Sequence, residues 1–379
     1  SKVTSYWGWP GIYSFDTAKP FNPKDPTTYP YRLQINILAT SEEWARITSL
    51  AFFIQDTWKI LPALTLNIGL RYTNYSWKQN PNQEKFWIAN KYNWDPRIGF
   101  SWDLFGDGKT SVRGGLGKYT TNPMGNAIYY SVVNRVEYDI RYYDFPGYPD
   151  PKVPNPFKAG GEAPILPTWN DFRRGMGAPY SMQYTLGIQR QIWTDLSVSA
   201  DFAYAEGFHL YWFVNDNPVI PGTSTKRPNP EASDIQVVDD GGHNKYRGLY
   251  LTIQKRYSHG WAFDVAYTLS KGEGNCEAGD ANSASNNEGR WYDWGPLNTD
   301  ARHKLSVSGI FDLPFGFQLS SIFSYRSAMP YNIVYGYDFN KDSINRDFYP
   351  YGAHRNNGRG FHYYSWDARF SKFVNVGRY

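Results

Sequence analysis

The stretch Leu64-Thr65-Leu66-Asn67-Ile68-Gly69-Leu70-Arg71-Tyr72-Thr73 alternates without a break. Leu64, Leu66, Ile68, Leu70 and Tyr72 fall on one face, and Thr65, Asn67, Gly69, Arg71 and Thr73 on the other. A period of two places an apolar wall and a wet wall on opposite sides of one β-strand. A strand crosses a bilayer in roughly 9–11 tilted residues, apolar outward and polar inward. The same signature recurs outward from this stretch in both directions. Ile98, Phe100, Trp102 and Leu104 oppose Arg97, Gly99, Ser101 and Asp103; Leu196, Val198, Ala200, Phe202 and Tyr204 oppose Ser197, Ser199, Asp201 and Ala203. Trp261, Phe263, Val265, Tyr267 and Leu269 oppose Ala262, Asp264, Ala266 and Thr268.

The predicted strands come in pairs. Arg46–Lys59 is followed by Leu64–Trp77, Arg97–Phe105 by Thr110–Tyr119, and Met182–Ile192 by Leu196–Ala205. Tyr246–Tyr257 is followed by Trp261–Ser270, and His303–Leu313 by Phe317–Arg326. Each pair is joined by a short turn such as Gly106-Asp107-Gly108-Lys109, whose glycines favour tight reversal. Trp366–Phe373 is an eleventh strand and Tyr31–Ile37 a twelfth. Between pairs the connections 78–96, 120–181, 206–245, 271–302 and 327–365 are long. Length that follows strand parity has no reason to arise in a soluble sandwich. It is the rule in an outer-membrane barrel, where periplasmic turns are short and extracellular loops long. The expected fold is therefore all-β: a transmembrane antiparallel β-barrel wall with Gly106–Lys109 on the periplasmic side. Arg46–Lys59 is the least regular strand, because Leu50-Ala51-Phe52-Phe53-Ile54 is apolar on both faces. A register bulge, or packing against something inside the barrel, explains that run.

Composition agrees. Aromatics make up 18% of 379 residues, with 32 Tyr and 15 Trp, enough for girdles at both bilayer interfaces. A soluble glycan-binding β-protein is the rival that also uses aromatics freely. Mean hydropathy is −0.61 and no apolar run of about 18 residues exists, which excludes a helical membrane protein and leaves a barrel open. A net charge of +4, with both signs scattered, points to no nucleic-acid partner. Cys276 is the single cysteine, so no internal disulfide is expected, and it reads as an incidental loop residue. Ser1-Lys2-Val3-Thr4-Ser5-Tyr6-Trp7 lacks the basic start and apolar core of a signal peptide.

Ala51-Phe52-Phe53-Ile54-Gln55-Asp56-Thr57-Trp58-Lys59 followed by Leu64–Tyr72 resembles the barrel signature of TonB-dependent outer-membrane receptors. Asp95-Pro96-Arg97 through Asp107-Gly108-Lys109-Thr110 is similar to their Oar-like branch. Pro330-Tyr331-Asn332-Ile333, Asn357-Gly358-Arg359-Gly360 and Asp367-Ala368-Arg369-Phe370-Ser371-Lys372 continue the likeness, which spans residues 46–374. The resemblance implies a barrel of about 22 strands with an N-terminal plug. It also implies a TonB-type energy-coupling partner, an extracellular ligand of unread identity, and the outer membrane of a Gram-negative bacterium. Eleven or twelve strands are legible and no plug or TonB box can be pointed to. Residues 1–379 are thus expected to be one part of a larger barrel, without its plug and N-terminal domain. A structural or adhesive outer-membrane protein is the other reading of the same wall.

No catalytic motif stands out, so a non-enzyme is expected. The six histidines are scattered, Asp239-Asp240 reads as a solvated turn, and Glu273, Glu277 and Asp280 share one acidic loop without defined geometry. Asp338-Phe339-Asn340-Lys341-Asp342-Ser343-Ile344 places oxygens at alternate positions. Asp338, Asn340, Asp342 and the Ile344 carbonyl could converge on Ca²⁺, although Ser343 stands where a calcium loop has glycine and Tyr349 where it has a bidentate Glu; a plain polar turn is the other reading, and the partial match favours it. The loops are dense in rings, and Tyr142, Tyr143, Trp291, Tyr292 and Trp294 are the ligand-platform candidates, self-packing of long loops being the other use of such residues.

Overall fold

In the computed structural model, the described residues are 12–38, 46–78, 93–121, 136–143, 146–150, 156–157, 161–162, 166, 168–173, 175–220, 223, 226–277, 282–283, 293–341, 347–374 and 377. Eleven long strands form the wall: β1 (Arg46–Leu61), β2 (Leu64–Lys78), β3 (Asn93–Asp103), β4 (Thr110–Thr120), β5 (Tyr180–Gln191), β6 (Leu196–Asn215), β7 (Ile235–Ser258), β8 (Trp261–Gly274), β9 (His303–Leu313), β10 (Phe317–Arg326) and β11 (Tyr363–Lys372). Each pairs antiparallel with the next in sequence, giving one meander from β1 to β11. Among the described residues β1 pairs only with β2, and β11 only with β10.

Register carries the alternation across the sheet. Leu64, Trp102, Val112, Ile188, Ala200, Leu251, Tyr267, Leu305, Tyr325 and Tyr364 are successive cross-strand partners. That row starts at the short-turn end of β2 and finishes at the long-connection end of β11. Such climbing is the stagger of tilted strands in a barrel wall. Between two aromatic belts the outer face is apolar apart from Asp56 and Ser321. Trp58, Trp102, Trp261, Phe311 and Phe370 lie near the short turns; Tyr72, Trp94, Tyr184, Tyr204, Tyr325 and Tyr364 lie near the long connections. Eight residues separate Trp94 from Trp102. That is about 27 Å of strand, or roughly 20 Å of height at a tilt of ~40°, close to the ~25 Å apolar band of outer-membrane barrels. Pro96 is tolerated inside β3 because the β3–β4 ladder has already ended at Arg97–Gly117, so its missing N–H breaks no bond there.

Four expectations change. β1 and β2 stay in register from Arg46 to Lys59, so no bulge explains the doubly apolar run. Leu50, Phe52 and Ile54 face outward, while Phe53 faces inward opposite Arg71 and is 70% exposed. The strand near Tyr31–Ile37 exists as Arg32–Leu38 but is no wall strand. It pairs with Ile12–Ser14 and with Val136–Tyr143, in an extension built from the first segment and the β4–β5 connection that joins the large sheet where Thr168–Phe172 pairs with β7. Tyr13, Phe21 and Tyr29 pack there around Tyr148 and each other, edge to face. The connection read as 206–245 is mostly strand, because β6 and β7 run 20 and 24 residues, far beyond what a bilayer needs. Finally, Cys276 is fully buried against Trp212, Leu210 and Val214, in a core above the membrane.

Candidate ligand-binding mouth

The inner wall is polar and low. Arg113 on β4 donates to Asp201 on β6 at 2.8 Å and to Gln189 on β5 at 3.2 Å, bridging three strands. Arg97 lies 4.3 Å over the Tyr119 ring, and the hydroxyls of Tyr246 and Tyr250 meet at 2.7 Å. Gly69, Gly99, Gly115 and Gly117 keep this face shallow, leaving a groove of about 340 Å³ between Asn67, Arg97, Tyr119 and Gln183. A second groove of about 500 Å³ lies over Asp264, Ser308, Ser320, Asp367 and Arg369. Both grooves lie on the face turned from lipid; the first mixes polar and apolar lining, and in the second Ile310 and Ile322 stand among those polar side chains.

Above the wall the long connections are stapled by charge. Arg173, from the β4–β5 connection, pairs with Asp239 and with Asp216 at 3.2 Å. Asp240 takes His209 at 2.7 Å and the Gly177 N–H at 2.8 Å. Asp239 and Asp240 are thus not a solvated turn: both sit in β7, and Asp239 is buried. Arg355 reaches Glu277 at 2.9 Å, Arg359 reaches Asp300 at 2.7 Å, and Asn356 donates to the Pro296 carbonyl at 2.7 Å. These bonds tie the β10–β11 connection to the β8–β9 connection. Burial pushes the Tyr211 hydroxyl up, with Asp240 adding to it, while that hydroxyl donates to the Gly177 carbonyl at 3.0 Å.

The ring candidates divide. Tyr142 and Tyr143 lie on the strand Val136–Tyr143, in register with Leu33 and Arg32, and their side chains are outside the described part. Trp291 and Tyr292 lie outside the described residues. Trp294 is half-buried, 5.4 Å from His243 with the Lys245 ammonium 5.1 Å from its ring, so it packs the loops. Asp342 and Ile344 also lie outside the described residues, whereas Asp338 and Asn340 sit on a loop closed by Asp347. The buried Asp347 carboxylate accepts the N–H of Phe339 at 2.7 Å and of Asn340 at 3.4 Å.

The same loop holds a cluster that sequence reasoning missed. Tyr335 stacks on Phe339 at 4.5 Å and meets Tyr349 edge-on at 5.0 Å; Phe339 lies 5.2 Å from Tyr351. Tyr337, Tyr349 and Tyr351 keep 44–55% of their surface exposed. The alternation Tyr335-x-Tyr337-x-Phe339 was its one local signal; the arrival of Tyr349 and Tyr351 depends on the bridge Val334–Phe348.

An alternating wall of tilted, girdled strands with short turns at one end defines an outer-membrane β-barrel. A family model described as an outer membrane beta barrel domain matches residues 26–86 and 78–376, and the chain belongs to that family of the Gram-negative outer membrane. The fold is similar to the outer membrane transporter YddB of Escherichia coli, with 14% identity and a TM-score of 0.56 over 86% of this chain and 39% of that one. It is also similar to the ferric enterobactin receptor PfeA of Pseudomonas aeruginosa (14% identity, TM-score 0.52, 87% of this chain and 38% of that one). The siderophore receptor PiuA of Acinetobacter baumannii is a third (13%, 0.51, 87% and 37%). The chain spans well under half the length of these structures. No curated protein matches it. Membership in a membrane-barrel family removes the soluble glycan-binding alternative.

Proposed function

We propose that this chain is part of the wall and mouth of a TonB-dependent receptor. An extracellular ligand binds the loops and passes inward along the polar face when a periplasmic energy-coupling protein acts on a plug. The observation that carries the reading is the vertical order of surfaces: exposed rings on stapled loops lie above a polar, glycine-lined inner wall. A bilayer leaves no strand edge unpaired. The edges at β1 and β11 therefore support a larger closed barrel, of about 22 strands as in plugged outer-membrane transporters. Likeness in fold to a transporter and to receptors supports uptake and leaves the ligand open among iron chelates, oligosaccharides and peptides. Nothing in this role calls for catalysis.

We further infer that Asp338, Asn340, Asp342 and the Ile344 carbonyl bind Ca²⁺, an all-oxygen donor set suited to a hard cation.

The test is uptake by cells carrying the full-length protein as their sole route for each ligand class, with and without the energy-coupling protein. Uptake that requires the coupler is the expected result. Ligand or surface binding with no coupler-dependent uptake would replace transport with an adhesive role.

A further inference from the structure

On the inner face of β8 to β11 charge is sorted by height. The register runs straight across the four strands, so inward side chains fall into rows. In the row nearest the long connections Lys304 and Arg326 are direct partners, with Tyr363 beside them. One side-chain repeat further in, the row is Ala266, Ser306, Ser324 and Ser365. The next begins with Asp264 and ends with Asp367, with Ser308 and Ile322 between them. Two cations thus stand above a shelf of small side chains, and two carboxylates below it.

These four charges are not spent on one another. Among the described residues neither Lys304 nor Arg326 has a carboxylate partner, and neither Asp264 nor Asp367 a cationic one; all four are exposed. Arg326 lies 5.6 Å over the Tyr363 ring, and Asp367 accepts the Ser365 hydroxyl at 3.3 Å. Elsewhere on the same wall Arg113 and Asp201 do pair, at 2.8 Å, so the wall neutralises its own charge where the register brings opposite signs together. The groove of about 500 Å³ begins at the row of carboxylates. Ile322 and Ile310 keep 52% and 39% of their surface exposed in it, and Arg369 lines it one repeat below Asp367.

We propose, on the reading of this face as the solute's path, that β8 to β11 bind short peptides with free termini. The peptide carboxylate meets Lys304 and Arg326, and its ammonium meets Asp264 and Asp367. The two charged rows are four residues of strand apart, about 13 Å. An extended chain advances about 3.3–3.6 Å per residue, so about four residues span them. Guanidinium holds a carboxylate with two parallel N–H donors, and the lysine adds a point charge. The serine hydroxyls between the rows suit peptide amides, and Ile322 and Ile310 offer an apolar surface to the side chains nearest the amino end. Other solutes fit this wall less well. A neutral oligosaccharide leaves all four charges without a counter-charge. An anionic iron chelate drawn to Lys304 and Arg326 meets two like charges one step further in.

The experiment is calorimetric titration of the full-length protein in phosphatidylcholine nanodiscs. The probes are the tetrapeptide Ala-Leu-Leu-Ala, its N-acetylated form and its C-amidated form. The wild type should bind the free tetrapeptide and lose about tenfold in affinity, or more, with either cap. Lys304→Gln with Arg326→Gln should bind the free and C-amidated forms alike while still rejecting the N-acetylated form. Asp264→Asn with Asp367→Asn should show the converse. A folding defect weakens all three forms together, so the selective loss reports each terminus by itself. Caps without effect on the wild type overturn the proposal. So does an equal loss of all three forms in both double variants, or no binding of any form because plug side chains fill the groove. Titration needs no energy coupling, so each of these failures leaves coupler-dependent uptake of another ligand class standing on its own assay.

Discussion

The Lys255 ammonium lies 2.9 Å from the Asp195 carboxylate, with only 5% of the lysine side chain exposed. Lys255 is the last β7 residue paired with β6 and Asp195 precedes β6, so the pair locks two strands at the short-turn end. The ammonium also donates to the Ser258 hydroxyl at 2.8 Å and to the Trp261 carbonyl at 3.2 Å, which brings in β8. Lys255 points outward by parity, yet its charge is folded under the turn and over the Trp261 ring, clear of the hydrocarbon.

This pair sets a pH dependence. The Ser258 hydroxyl and then Lys255 hold the Asp195 carboxyl down to about 2, below its ordinary value. A depressed folded-state pKa stabilises above the unfolded value, near 4, and that stabilisation is lost as pH falls toward 2. Denaturation in vesicles should show a constant gap between wild type and Asp195→Asn above pH ~4, closing as pH drops to ~2. A gap unchanged across that range would sink the assignment.

The lipid face makes a second prediction. Ile68 is the obvious position from sequence, but Asp56 is its register partner and would pair with an introduced arginine. Leu251, flanked by Ala200 and Tyr267, is the cleaner site. Leu251→Arg should cost roughly 2–4 kcal/mol of folding free energy in lipid. Thr252→Arg, one residue along and facing the lumen, should cost much less. Equal costs on the two faces would refute the assignment of inside and outside.

Orientation is tested by labelling. Glu231→Cys, exposed in the β6–β7 connection, should react with an impermeant maleimide on intact cells, and Asp107→Cys in the β3–β4 turn should not. The native Cys276 is buried and gives no background. Labelling of Asp107→Cys alone would invert the barrel.

The long β6–β7 hairpin depends on Gly242. A Cβ at Gly242 would lie 2.4 Å from the Leu210 carbonyl oxygen and 2.9 Å from the Cys276 Cβ. Backbone cannot yield there cheaply, so Gly242→Ala should destabilise the hairpin by about 1–3 kcal/mol. Cys276 in that variant should become reactive to a thiol reagent at a rate the wild type does not show. An unreactive Cys276 would mean that the hairpin absorbs the methyl group.

Calcium gives the fifth prediction. Protein held in millimolar Ca²⁺ should show density about 2.3–2.6 Å from Asp338, Asn340 and Asp342 oxygens, and Asp342→Asn with Asp338→Asn should abolish it. An ordered loop with its carboxylates apart and no density between them would leave the polar turn, already closed by Asp347, as the whole account.

The wall was legible because its determinants are local. His303–Leu313 and Phe317–Arg326 have the same limits in the structure as in the sequence reading, since alternation starts and stops at Pro314-Phe315-Gly316. β6 and β7 were read ten or more residues short, because above the bilayer no apolar face is required and alternation fades. Gly241-Gly242 and Asp239-Asp240 then look like a turn. They remain strand because Arg173, Asn275 and Gly177 bond to that hairpin from elsewhere in the chain.

Leu33, Ile35 and Ile37 marked a strand correctly, yet their alternation carried no information about its partner. The pairing with Val136–Tyr143 fixes that partner through contacts about a hundred residues apart. The ring cluster at Tyr335 has the same origin. By itself the sequence determined which side chains face lipid and where the short turns fall, since period two and turn chemistry act between neighbours. Only the tertiary structure decided which distant rings and charges meet, because strand register and loop closure are set by pairings that no local window contains.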